Sequence, residues 1–290
     1  MKPDVPFITS CTTNGTLIDD NNREWLKRHR NVFFPVLSYD GDYEMQQKNR
    51  NTSKAHIDMN FFKDTWPEES VHLTISKETL PYLSRGILSL QRSGGNLDAT
   101  LAQGVEWTDE DANMYRDQLN ILKEAYLQDV SLKPINLLGR TLYGITGQQG
   151  TQKKFCGTGT SMIAYDIDGK SYPCHMFSPI VLGYDRALEL SASGIKDDCH
   201  ITDSFCKNCN IMHWCPSCYG FNYRFRSDIS LRDHHWCKMI HTQVVACCEF
   251  QIAYFHKHMK ILTDADMAQL KAALEAYHIL SNNNSTISFL

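Results

Sequence analysis

Apolar positions in the first 150 residues switch repeatedly between a period of two and a period near 3.6, so the pattern predicts strands alternating with helices. Val5 to Cys11 predicts a strand that stops at the turn Asn14-Gly15, and Asp19 to Arg28 predicts a helix. Val32 to Ser38 is β-prone and ends at Asp40-Gly41; Val71, Leu73 and Ile75 alternate as in another strand. Ser76 can start the helix that follows, with Leu80, Leu83, Ile87 and Leu90 at helical spacing and Pro81 tolerated in its first turn. Gly94-Gly95 stops it. Leu97, Ala99 and Leu101 alternate again. After Val105 and Trp107, the acidic run Asp109 to Asp111 opens a helix capped by Thr108 and Asp111, with Tyr115, Leu119, Leu122 and Tyr126 inward. Such alternation means βαβ units and a mostly parallel sheet or barrel.

From about Gly150 to Cys248 the chain turns to Cys, His, Trp, Asn and Gly with little helical periodicity, and predicts a loop-rich region ordered by ligand bonds. Met162 to Cys174 predicts a hairpin turning at Asp168-Gly169. A last helix opens near Thr263 and Asp264 and carries Met267, Leu270, Leu274 and Tyr277 on one face; an Asn-rich end follows Ser281. Three parts result: 1–149, 150–248 and 249–290.

Composition narrows the function classes. With 29 basic and 33 acidic side chains in 290 residues the chain has no basic field for nucleic acid. No apolar run reaches the roughly 18 residues of a membrane helix, and residues 1 to 10 lack a signal-peptide pattern, so a cytoplasmic protein without nucleic-acid or membrane partners is expected. There, persistent disulfides are rare, and 11 cysteines, most of them between Cys199 and Cys248, point to metal or redox chemistry. Cys11, Cys247 and Cys248 are expected to be buried small hydrophobes.

Cys206-Lys-Asn-Cys209 and Cys215-Pro-Ser-Cys218 are two C-x-x-C pairs five residues apart. Zinc-ribbon pairs usually stand about 12 to 20 residues apart, because two knuckles must converge on one ion. Steps of two and five suit a cubane cluster, whose separate iron corners take thiolates from neighbouring loops. A zinc module remains the competing reading. His175, His200 and His213 are expected to be hydrogen-bonded loop residues.

Cys156 and Cys174 flank Gly169 in the order Cys-x12-Gly-x4-Cys, and Cys237 lies nineteen residues beyond Cys218. With the two pairs, this order resembles the SPASM domain, the auxiliary-cluster module at the C-terminal end of radical SAM enzymes that modify peptides and proteins. The last pair encloses two residues where the family pattern has three. The resemblance implies one [4Fe-4S] cluster on Cys206, Cys209, Cys215 and Cys237 and a second on Cys156, Cys174 and Cys218. The second keeps an open iron unless Cys199 fills it.

The same family pattern covers most of residues 5 to 127. Thr12-Thr13-Asn14-Gly15-Thr16-Leu17 resembles the strand end lining the S-adenosylmethionine site, and the resemblance assigns Thr12 and Asn14 to the cofactor. Ser38-Tyr39-Asp40-Gly41 resembles the next strand end, implying that Ser38 and Asp40 meet the ribose. Arg50, twelve residues after Ser38, matches an arginine that meets the cofactor carboxylate. These residue types suit the task, since hydroxyl and amide groups bond a ribose and guanidinium pairs with carboxylate.

No Cys-x3-Cys-x2-Cys run, the loop that holds the catalytic cluster in this family, occurs in the 290 residues. The expected fold is therefore α/β: a partial, N-terminally truncated radical SAM TIM-like barrel, then a cysteine-rich, loop-rich SPASM domain and a C-terminal helix. The implied function is that of the C-terminal part of a peptide or protein maturase working by 5′-deoxyadenosyl radical chemistry. Its partners would be a polypeptide substrate and a reductant such as a flavodoxin or ferredoxin. The alternatives are a non-enzymatic iron-sulfur electron-transfer or peptide-binding scaffold and a zinc-binding structural module.

Overall fold

The computed structural model describes residues 8–52, 57–147, 156–189, 195 and 203–282. It divides into two compact units, one of residues 1–140 with 242–254 and one of 141–241 with 255–290.

In the first unit β1 (Thr9–Thr13) pairs in parallel with β2 (Phe33–Leu37), and α1 (Asp20–His29) lies between them in sequence. Asp19 caps α1 by accepting from the Asn22 N–H. Beyond β2 come α2 (Tyr43–Arg50) and α3 (Met59–Thr65), then β3 (Val71–Ile75). The Ser76 hydroxyl accepts from Thr79 N–H and its carbonyl from Leu80 N–H, opening a 3₁₀ turn over Leu80–Tyr82 before α4 (Leu83–Arg92). Pro81 lies in that turn, where no helical N–H is missed. β4 (Leu97–Leu101) then pairs in parallel with β3.

A single parallel bridge, Ser38 to His72, links the two strand pairs, with Tyr39 N–H donating to His72 O at 3.0 Å. The order β1, β2, β3, β4 thus follows the chain, as repeated β/α units require. The described strands make no closed barrel.

The helix α5 (Asp109–Gln128) opens with a full capping box between Thr108 and Asp111. Its inner stripe Tyr115, Leu119, Leu122 and Tyr126 has no exposed surface, matching the 3.6-residue period. Trp107 is buried beside this start.

Cys11 departs from expectation: it is exposed, because residues Thr9 to Thr12 are all exposed on β1, whose described pairing is with β2. Cys247 and Cys248 are fully buried.

In the second unit, α7 (Tyr143–Thr146) follows α6 (Asn136–Gly139) of the first. The expected hairpin forms from β5 (Ala164–Tyr165) and β6 (Ser171–Tyr172). Gly169 takes φ +76° at its turn, a conformation that disfavours other residues. Asp166 holds the turn by accepting from the N–H groups of Asp168 and Lys170 and from the Tyr172 hydroxyl. Two short helices, α8 (Pro179–Leu182) and α9 (Tyr184–Glu189), lead on.

The region expected to be loop-rich also holds α10 (Tyr219–Arg226) and the start of α11 (Cys237–Lys257). The reason α11 escapes periodicity is burial on several sides: Met239, Ile240, Val244, Ala246, Cys247, Cys248 and Phe250 are all buried. In the first unit its polar residues serve the carbonyls that end α6. Gln243 donates to Leu137 O, and Gln251 to Leu138 O and Arg140 O.

The last helix, α12 (Asp264–Asn282), buries a different face from the one expected. Leu270, Ala272, Ala273 and Ala276 are buried, whereas Met267, Leu274 and Tyr277 are exposed. Three alanines and Leu270 form the buried face here, and Met267, Leu274 and Tyr277 are left outside it.

Candidate metal and cofactor sites

Cys206, Cys209 and Cys215 lie in the second unit on a succession of tight turns. Cys206 N–H donates to Asp203 O, Cys209 N–H to Cys206 O, Met212 N–H to Cys209 O and Cys215 N–H to Ile211 O. This winding is pinned by Trp214, which is buried and donates from Nε1 to Thr141 O at 2.8 Å. Pro216 then breaks the turns, and Cys218 is the residue before α10.

Burial and neighbouring thiols raise several of these cysteines. The Cys237 thiol is pushed up to about 12, first by burial and then by the charges of Cys215, Cys206 and Cys209. Burial likewise raises Cys206 to about 11, with Cys215 and Cys209 adding to the rise. Cys218 is raised by burial and feels a different pair, Cys174 and Cys156. Nearby backbone N–H groups of Phe221 and Gly220 at the start of α10 pull it the other way. Cys174 is buried in a small core with Tyr172, Phe177, Tyr219 and Tyr223, and Cys156 packs against that core. Cys199 and His200 lie outside the described residues. His175 and His213 are exposed.

Among the described residues, the set of three ligand-type side chains that converges within 4.8 Å is Asp203, Cys206 and His234. Asp203 is occupied there by protein donors: it accepts from Phe205 N–H and Arg232 N–H and lies 2.8 Å from His234 Nε2. It therefore acts as a brace between the Cys206 turn and the segment Arg232 to His234. Sequence reasoning missed this brace, since its partners stand 29 and 31 residues away.

Arg232 is the other missed residue. Its side chain is buried at 7% exposure, and Nη1 donates to Met212 O at 3.1 Å and Cys215 O at 3.4 Å. Its Nε has no hydrogen-bond partner among the described residues. A buried cation held against the cysteine-bearing turn, with no carboxylate paired to its guanidinium among the described residues, fits a site that becomes anionic when metal displaces thiol protons.

In the first unit the residues expected to meet a cofactor gather at the C-terminal ends of β1 and β2. Ser38 N–H donates to Thr13 O at 2.8 Å, which sets the two strand ends side by side. Thr12 and Asn14 are exposed, and Asn14 Oδ1 accepts from Thr16 N–H and Oγ1. Ser38 and Asp40 are buried.

Arg50 meets a protein carboxylate: Nε is 2.6 Å from Asp40 Oδ2, and Nη2 donates to Asp40 Oδ1 at 3.1 Å. Thr74 N–H also donates to Asp40 Oδ1 at 2.7 Å. The face of α2 that brings Arg50 here brings Gln46 and Asn49 too, at helical spacing. Gln46 Oε1 accepts from Asp40 N–H, and Asn49 donates to Thr74 O and accepts from the Ser76 hydroxyl. A polar face immediately after Asp42, the N-cap of α2, was the available signal for these two.

Among the described residues no helix is long and apolar enough to cross a membrane.

No family model matches the sequence, and no curated protein matches it. Solved structures do. The chain is similar to histidine-tagged anSMEcpe with bound AdoMet, with 18% identity, 91% of this chain and 74% of that chain covered, and a TM-score of 0.58. It is also similar to native anSMEcpe with bound AdoMet and Kp18Cys peptide, with 18% identity, coverage of 87% and 74%, and a TM-score of 0.57. The complex with Cp18Cys peptide gives 17% identity, the same coverage and a TM-score of 0.54. The fold of this chain is thus similar to that of anSMEcpe, mixed α/β with small two-stranded sheets among the described residues.

Proposed function

We propose that this chain is the cluster-bearing part of a radical SAM/SPASM peptide or protein maturase. The observation that supports the reading is that Cys206, Cys209 and Cys215 lie on successive tight turns, while Cys174 and Cys156 share one small core with Tyr219, the residue after Cys218. Cys206, Cys209, Cys215 and Cys237 would hold one [4Fe-4S] cluster, and Cys156, Cys174 and Cys218 the other. Such clusters supply one-electron transfer, and an iron left without a protein thiolate offers a place for substrate.

Spacing favours clusters over zinc, because the two C-x-x-C pairs stand five residues apart and zinc-ribbon pairs about 12 to 20. The protein's own part would be to carry the cysteines on its turns, to set Cys218 at the start of α10 and to hold the Arg232 cation against the Cys215 carbonyl.

S-adenosylmethionine would be held at the ends of β1 and β2 by Thr12, Asn14, Ser38 and Asp40, with Arg50 toward its carboxylate. The likeness to anSMEcpe with AdoMet and peptide supports a cofactor and a peptide as partners. The 290 residues hold no Cys-x3-Cys-x2-Cys run, so cleavage of S-adenosylmethionine is not assigned to them.

Single substitutions test the two sets. In chains reconstituted with iron and sulfide under anaerobic conditions, C209A and C156A should each lose about four of about eight irons. The double variant should lose nearly all. If both single variants kept a full complement, or if either one lost every iron, the division into two sets would be wrong.

A further inference from the structure

Arg232 stands out among the buried groups, because its guanidinium forms no ion pair with a carboxylate among the described residues and its Nε is buried without a hydrogen-bond partner. A cation buried in this way is strongly unfavourable unless negative charge lies close by. The candidates for that charge are the thiols. Nη1 is tied to the carbonyls of Met212 and Cys215, so the guanidinium is fixed against the turn that carries Cys209 and Cys215. Asp203 fixes the other side by accepting from the Arg232 backbone N–H at 3.0 Å while its own residue starts the Cys206 turn.

The other set is served differently. Cys218 is the residue before α10, at the N-terminal end of that helix, and Cys174 and Cys156 meet at the core that holds Tyr219. One set thus has a full buried cation beside it, and the other has peptide dipoles.

We propose that Arg232 is an electrostatic positioning residue of the four-cysteine site, where its buried guanidinium offsets the charge of four thiolates and sets how readily a cluster bound there accepts an electron. This rests on the cluster reading above. A four-thiolate cubane is an anion before reduction and a stronger one after it, so a fixed cation nearby favours the reduced form. Arginine suits the place because it stays protonated when buried and its planar fork can hold two carbonyls at once.

The test uses the full chain, reconstituted with iron and sulfide and titrated anaerobically with dithionite while the electron paramagnetic resonance signals are followed. Wild type, R232M and R232K are compared, with iron and sulfide counted for each. R232M should keep full iron and show one of the two signals shifted, with the ratio of reduced to oxidised cluster falling at least about tenfold at a fixed potential, or about 59 mV for one electron. R232K, which keeps the charge, should stay within about threefold of wild type on the same scale. In the C156A background, where the four-cysteine site remains, the same shift should persist. Loss of about half the iron in R232M but not in R232K would also support a role for the charge.

Three outcomes overturn the proposal: no shift with iron intact, an equal shift of both signals, or the same iron loss in R232M and R232K, which would mean that Arg232 only ties the Met212 and Cys215 carbonyls. A wild-type chain that takes up no iron sinks the cluster reading itself, and is recognised before any variant is compared.

Discussion

Asp40 and Arg50 form a two-pronged ion pair ten residues apart, with the carboxylate fully buried and the guanidinium a quarter exposed. The pair ties the end of β2 to α2, and Thr74 N–H brings the end of β3 onto the same carboxylate. D40N should therefore lower stability by about 3 kcal/mol, the low end for breaking a buried pair, because water still reaches Arg50. Urea unfolding followed by circular dichroism measures this. A change below about 0.5 kcal/mol would show that the pair merely decorates the strand ends.

Gly86 gives a prediction of opposite flavour. In a helix, alanine normally gains about 1 kcal/mol over glycine. A Cβ on Gly86, however, would overlap Met45 Sδ and come 3.1 Å from the Gly41 backbone, where Gly41 itself holds φ +101°. Overpacking of this kind costs about 1–3 kcal/mol, so G86A should be neutral to destabilising by up to about 2 kcal/mol after the helical gain. A more stable G86A, with a raised melting temperature, would mean that α4 can move off α2 at little cost.

Much of this architecture is legible in the sequence because it depends on neighbours. Val71, Leu73 and Ile75 alternate on a strand of period two, Thr108 and Asp111 cap α5 across three residues, and Asp168-Gly169 turns the hairpin. The unread features depend on distant partners or on burial from several sides. Helix α11 buries Thr242, Gln243 and Gln251 together with its apolar residues, which blurs the period. In α12, alanines rather than the larger Met267, Leu274 and Tyr277 make the buried contact. The cofactor-end residues Asp40 and Arg50 were picked out, but their mutual pairing was not, and Asp203 gave no local sign of its hold on Arg232 and His234.

Asp111 makes the stability of α5 dependent on acid. Partial burial pushes its carboxyl up, but the Thr108 N–H, the Lys77 amine 3.1 Å away and the Thr108 hydroxyl more than reverse this, leaving it below the usual range. A carboxyl whose folded value is depressed adds stability above its unfolded value and loses it as pH falls through the folded one. Wild type should therefore exceed D111N by about 1 kcal/mol at neutral pH, and the difference should shrink below about pH 4. Thermal melts of both chains across that range check the sign. A difference that grew on acidification would contradict the cap and the lysine pairing together.

Metal content is the most direct measure of whether the seven thiols hold two clusters. The full chain should be reconstituted with ferrous iron and sulfide in the absence of oxygen, desalted, and analysed for iron, acid-labile sulfide and zinc. A brown protein with about eight irons and about eight sulfides per chain is the expected result. A colourless, iron-free chain, or one holding about one or two zinc ions instead, would contradict the two-cluster assignment.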